Sequence, residues 1–304
     1  MYDLMSRPLS MPLASRPQAL GKVFFVECWS GDNDNNGIDP ATPFNTITYA
    51  LTQTVAKRND YIICLETWQQ EPAWPIEFTA ANDWVHILGL TNPGMPTAYM
   101  CPDIDEPTFL LAGTVDTVEI AGFNLGGGVT HGCIEVDSSQ RNWIHHCWFG
   151  LSDQGLGTPL RGIDVPTGPS GFLVVEDCVF IGDNCDCQGG ISENGFDQAG
   201  GGAWMTIQRN RFLGCTIGYH SVGGGVNMIL DNRFVCPDVA GAAIDLGPHA
   251  NCKGNMIDGN VAMEGAETVM AANPFRDNNA GDINHWGRNY CTLAGGVEML
   301  LKPA

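Results

Sequence analysis

The sequence predicts an all-β chain wound as a single parallel β-helix of about eight coils, closed at its N-terminal end by a strand and a capping amphipathic helix. Three observations predict it: a glycine-rich, charge-poor composition, a short strand motif that keeps returning, and a helix-forming stretch ahead of the first repeat.

Of the 304 residues, 38 are Gly and only 16% are charged. A helical bundle needs a charged outer face and few glycines, so this pairing favours short strands joined by tight turns. The length is large for an ordinary domain, but one solenoid can use all of it. The net charge of −20 and pI near 4.4 come as much from scarce Lys and Arg as from abundant acids. Nucleic acid is excluded as a partner, because phosphate neutralisation needs basic patches that this chain lacks. The acidity reads as a solvated surface.

The repeat is irregular. "NWIHHCWFG", "LVVEDCVFIG", "MTIQRNRFLG", "NMILDNRFVC" and "NCKGNMIDG" each give an apolar strand, a small polar or Cys residue, one variable residue and a bulky apolar one. The bulky positions are Phe149, Phe180, Phe212, Phe234 and Ile257, extended to Leu125 and Leu90 on one side and Cys291 on the other. Their spacing of roughly 22 to 35 residues fits a coil with fixed strands and variable corners. The small position reads Cys147, Cys178, Asn210, Asn232, Asn255, Asn289, a structural column in which Asn amides bond along the stack and Cys fills apolar stretches. A second element recurs between these marks, "GCIEV", "GIDV", "GGIS" and "AAIDLG", so each coil holds two or three short strands. A β-sandwich would need antiparallel hairpins and would leave the aligned columns unexplained.

A solenoid must cover its first coil, or apolar surface and unpaired strand edges are exposed. "KVFFVECW" (22–29) reads as a strand. After a Gly/Asn/Asp loop, Thr42 is placed to cap a helix with Pro43 at its first position. Phe44, Ile47, Leu51 and Val55 then share one face, Asn59-Asp60 ends the helix, and "YIICLE" begins the first coil.

At these residues a resemblance becomes specific. "GDNDNNGIDPATPFNTITYAL" resembles the opening motif of right-handed parallel β-helix proteins of the pectate-lyase-like superfamily, most closely phage virion β-helix proteins of the decoration or tailspike type. The motif covers about thirty residues and the looser repeat most of 61–291. The resemblance implies the fold, a right-handed coil, and for virion members a homotrimer. It is poor guidance to activity, because one fold hosts many functions. The Asn-Thr-Asp, Asp-pair, Gly-His-Gly and Arg-x-Lys steps of galacturonases are absent, with "VTHGC" around His131 and "GYHS" around His220 the nearest approaches.

Chemistry has few places to reside. The insertion "GDNCDCQGGISENGFDQAGGGAW" gathers Asp183, Asp186, Glu193 and Asp197 beside Trp204, an acid set and an aromatic carbohydrate platform of the kind glycoside hydrolysis uses. Plain solvated corners have the same composition. Cys185 and Cys187 form the only close cysteine pair among twelve cysteines, most of which lie among Val, Ile and Phe as small buried residues. His145-His146 is a metal candidate at face value, but adjacent strand residues point to opposite faces. Asp32, Asp34 and Asn36 match the first ligands of a calcium loop, and Gly37 its turn; Pro43 stands where the bidentate Glu belongs. A looser calcium site completed by Asp39 is left open, beside the reading as a turn; no other cofactor is expected.

The expected organisation is an N-terminal arm at 1–21, a cap at 22–60 and the coils with a C-terminal cap at 61–304. The first residues are interrupted by Pro8, Pro12 and Pro17, and no signal peptide or membrane span is read there or elsewhere. The expectation is therefore synthesis in a host cytoplasm and residence in a virion. The function expected is a structural virion surface protein, a trimeric rod that is a capsid decoration or a tail fibre or spike, with decoration the nearer fit. Its partners would be itself, a capsid or tail subunit, and a host surface glycan. The alternative is a carbohydrate-active enzyme, a polysaccharide lyase or glycoside hydrolase.

Overall fold

The structure is a computed structural model that describes residues 21–65, 68–92, 95–96, 98–150, 161–166, 170–182, 189–193, 204–215, 217–221, 224–236, 242–247, 252–264, 274–278, 284–293 and 297–300. Among the described residues, apart from one short helix and one 3-10 turn, the regular elements are strands, stacked into a parallel β-solenoid. Two sheets have ten strands and a third has eight. The chain passes from one sheet to the next, so each strand pairs with its counterpart one coil away. Among the described strands, pairing is parallel except for two local hairpins, Thr91–Asn92 with Met95–Pro96 and Tyr290–Leu293 with Val297–Leu300.

Alternation along each strand sends every second residue inward, and stacking turns these residues into columns. In the first sheet the interior column runs Ile62, Ile87, Ile120, Ile144, Val175, Ile207, Ile229, Ile257. In the second it runs Met100, Leu125, Phe149, Phe180, Phe212, Phe234, Ala262, Cys291. Its four Phe rings lie nearly parallel, with centroids 4.6, 4.6 and 4.7 Å apart. That separation is the rung spacing itself, so the rings stack because the backbone holds them there.

Two positions depart from the expected register. Leu90 is not in the Phe column: a hairpin insertion leaves it exposed, and Met100 takes the place. Ile257 belongs to the first sheet's interior column, and Ala262 occupies the second sheet's position beside Phe234. The cause is that the later motifs carry two Asn residues five apart. "NMILDNRF" aligns with "NMIDGNVA", and a small Ala in the bulky slot hides the match.

The Asn residues form two ladders at two corners. In one, Asn210, Asn232, Asn260 and Asn289 are fully buried, and each Oδ1 accepts the backbone N–H of the preceding coil's member at 2.9–3.1 Å. Cys178 N–H enters the same ladder through Asn210 Oδ1 at 2.9 Å. Asn255, expected here, stands in the second ladder, where its Oδ1 accepts from Asn227 N and its own N–H donates to Asn284. Cys147 and Cys178 are buried above the first ladder.

The lid is built as expected in outline and shifted in detail. The strand Val23–Val26 pairs with Asp60–Cys64, and the helix spans Ile47–Gln53. Its cap is Thr46, whose hydroxyl accepts from Tyr49 N–H, rather than Thr42. Phe44 cannot be helical because its backbone bridges Val26, donating to Phe25 O and accepting from Glu27 N–H. Val55 consequently lies beyond the helix and is exposed. Ile47 and Thr48 N–H also donate to the two carboxylate oxygens of Glu71, so a residue of the first coil seats the helix.

Candidate functional site

The outward face of the first sheet carries a polar network that crosses several coils. Register places His86 of one coil beside Glu119 of the next and Trp143 of the one after, with His145 two residues along the same strand. Glu119 Oε2 bonds His86 Nδ1, and Glu119 Oε1 accepts from His145 Nε2 at 2.8 Å. Beyond them, His86 Nε2 lies 2.9 Å from Asn59 Oδ1, and His145 Nδ1 lies 2.8 Å from His146 Nδ1. That last contact accommodates one proton between two nitrogens. The three central side chains are buried although they point outward, because Tyr61 stacks on His86 at 4.3 Å and Trp143 on His145 at 3.9 Å.

Burial alone would raise the Glu119 carboxyl, but hydrogen bonds and charge from His145 and His86 outweigh it and bring it down to about 2. Glu119 is therefore an anion at neutral pH. Burial and its negative charge push the Tyr61 hydroxyl up. One coil on, Glu176 accepts from Trp143 Nε1 at 2.9 Å and Gln208 Nε2 at 2.7 Å, and pairs with Arg209, which also bonds Asp177. Arg141 pairs with Asp116 in the same manner.

A second polar row runs along the third sheet. Glu135, Asp164, Ser192, His220, Asp245 and Arg276 occupy one register position in successive coils. Asp164 is buried; Oδ2 pairs with Arg161 at 2.5 Å, and Oδ1 has no hydrogen-bond partner among the described residues. Burial raises its carboxyl, against the pull of Arg161. Burial also lowers His220, with Arg161 adding to the effect and Asp245 opposing it. His131 bonds Glu135 at 2.7 Å, and despite desolvation that pairing raises its imidazole.

Of the acids expected in the long insertion, Asp183, Asp186 and Asp197 lie outside the described residues, as do Cys185 and Cys187. Glu193 ends the strand Gly189–Glu193, in register with Val165 and Ser221. Trp204 is half exposed and lies parallel to Phe172, centroids 6.0 Å apart and planes 19° apart. In the opening loop, Asp32, Asn36 and Asp39 each turn a side-chain oxygen onto the backbone N–H two residues ahead, at 2.9, 3.1 and 2.9 Å. Asn33 Oδ1 takes Asn45 N–H at 3.0 Å. Gly37 has φ +65, and a Cβ there would strike the Phe44 ring. These contacts shape the loop around the lid. Among the described residues no three His, Cys, Asp or Glu side chains are grouped to hold a metal.

The sequence reading missed His86, Glu119, Phe172 and Val226. A signal for the first two existed: "VHILG" set over "VEIAG" puts His86 on Glu119. No family model matches the chain, and a search of curated proteins finds no match. Among solved structures it is similar to PfbA, a surface adhesin of Streptococcus pneumoniae, at 13% identity and TM-score 0.52, over 80% of this chain and 66% of the adhesin. That likeness shows the shared β-helix fold. Weaker likenesses are to ORF18 of Geobacillus virus E2 (12% identity, TM-score 0.40, 89% of this chain and 61% of that one) and to a rhamnogalacturonan lyase (10% identity, TM-score 0.41, 88% and 87%).

Proposed function

We propose that this chain is a structural surface protein of a phage-like particle, a capsid decoration or a tail fibre or spike, presented as a homotrimeric rod. The observation that carries the reading is how the first sheet uses its charges. Glu119 ties His86 of the coil before to His145 of the coil after, Asp116 ties Arg141, Glu176 ties Trp143 to Arg209, and Asp258 takes Arg288 N–H at 2.5 Å. Acids that clamp coil to coil stiffen a rod, whereas acids that perform chemistry converge on open space. The adhesin shares the fold and is a surface protein. Partners in this reading are a capsid or tail subunit at one end of the rod and a host glycan along it. Quantitative immunodetection in gradient-purified particles tests it: a fixed stoichiometry with the major capsid or tail protein is expected, and absence from particles refutes it.

A second reading, a carbohydrate-active enzyme, is favoured by Asp164. A buried carboxyl raised by its surroundings, with Glu135 at the same register position one rung away, is the environment of a general acid with a second carboxylate on the neighbouring coil. Release of reducing ends from polysaccharide by the purified chain, lost in Asp164→Asn, would support this reading. Full activity in that variant would exclude the third-sheet row, and Asp183→Asn and Asp186→Asn would then test the insertion.

A further inference from the structure

Most strands of the first sheet are preceded by a corner residue in the left-handed region, and these residues form a column. Asn59, Trp84, Thr117, Arg141, Phe172, Val226 and Gly254 have φ of 69, 65, 58, 56, 59, 63 and 75. Gly or Asn adopts this conformation at little strain, whereas a bulky or β-branched side chain does so at a backbone penalty. Phe172 and Val226 accept that penalty, yet 53% and 43% of their surfaces are exposed, so packing within the chain offsets little of it. Trp204 stands between them, also 53% exposed. On the adjoining outward column Met228 and Met256 are exposed as well.

The five side chains span four consecutive coils, and the outward positions interleaved with them, Val174 and Thr206, are uncharged. In a chain of net charge −20, an apolar stripe two columns wide along the rod is where copies can meet without opposing their own carboxylates. A pyranose stacks on a ring face. Here the Phe172 and Trp204 faces are turned toward each other along the rod, so the pair presents ring edges, which suit apolar protein packing. A narrow stripe parallel to the coil axis fits a threefold axis in the same direction, where three identical edges meet.

We propose that Phe172, Trp204, Val226, Met228 and Met256 form the self-association face, three copies packing stripe to stripe about an axis parallel to the rod. The inference rests on the homotrimeric reading above and adds the surface that makes it. Sedimentation velocity of the full chain at pH 7 tests both. The wild type is expected at three times 32.7 kDa, about 98 kDa. Phe172→Asn/Val226→Asn and, separately, Trp204→Glu are expected to sediment as monomers with unchanged far-ultraviolet dichroism. Asn tolerates the left-handed corner, so the double variant melts no earlier than a wild-type monomer would. A wild type that is monomeric or dimeric overturns the trimer and this face together. A trimer that persists in both variants overturns the face and leaves the trimer standing. Variants that lose their strand signal show that these side chains serve the fold, and overturn the proposal as well.

Discussion

Asn232→Ala is the sharpest perturbation of what holds the coils in register. The Asn232 side chain is fully buried; its Oδ1 accepts Asn210 N–H at 2.9 Å and Asn210 Nδ2–H at 3.1 Å. Its Nδ2 donates to Ile207 O at 2.9 Å and Asn260 Oδ1 at 3.0 Å. Alanine leaves two donors on Asn210 with no acceptor in a dry corner and withdraws a donor from two oxygens. At about 1–3 kcal/mol per orphaned buried group, with some relaxation, the expected loss is about 3–5 kcal/mol. Asn36→Ala is the control: Asn36 also accepts a backbone N–H, at 3.1 Å, but in solvent, so the expected loss is at most about 1 kcal/mol. Urea unfolding followed by dichroism, analysed at unchanged slope, measures both. A loss below about 1 kcal/mol for Asn232→Ala would refute the view that the ladder, and not only apolar stacking, sets the register.

Two further outcomes follow from the polar contacts. Glu119 titrates at about 2 in the fold against an ordinary 4.5, so its pairing contributes stability above pH 4.5, and that contribution falls away as the pH drops toward 2; the full span is about 3 kcal/mol. Melting temperature against pH should therefore fall more steeply below 4.5 in the wild type than in Glu119→Gln, and parallel curves would show that the two histidines do not hold the carboxylate. Glu71→Ala removes the acceptor for Ile47 and Thr48 N–H and should cost the lid about 1–2 kcal/mol, with hydrogen exchange rising in 47–53 ahead of the coils. Uniform exchange across lid and coils would mean that the helix does not open separately.

Much of the fold is legible in the sequence because a solenoid repeats its physics. Period-two alternation marks the interior columns, and the four stacked Phe residues declare the second sheet even through insertions. The errors come where a repeat carries two equivalent signals. Asn255 and Asn260 both follow the pattern, and only the choice of ladder partner, Asn284 for one and Asn289 for the other, separates them. The helix cap slipped for a related reason. Thr42-Pro43 is a good local start, but the backbone of Phe44 pairs with the first strand, and a contact between segments eighteen residues apart overrides local preference.

The surface was less legible because its features sit at corners, where alternation stops applying. Adjacent strand residues face opposite ways, and on that rule His145 and His146 cannot meet. The strand, however, ends at His145, and His146 has φ 54, which brings its ring back until the two Nδ1 atoms are 2.8 Å apart. Phe172 misleads in the opposite direction. Beside "LVVED" it reads as one more core residue, and only its φ of 59 turns it outward onto Trp204. When Gly holds such a corner, the sequence announces the left-handed turn; when His, Phe or Val holds it, nothing local does. A chain that places large side chains at left-handed corners and leaves them exposed accepts strain at positions its own core does not require. In a solenoid those positions are therefore the first to search for contacts that come from outside the chain.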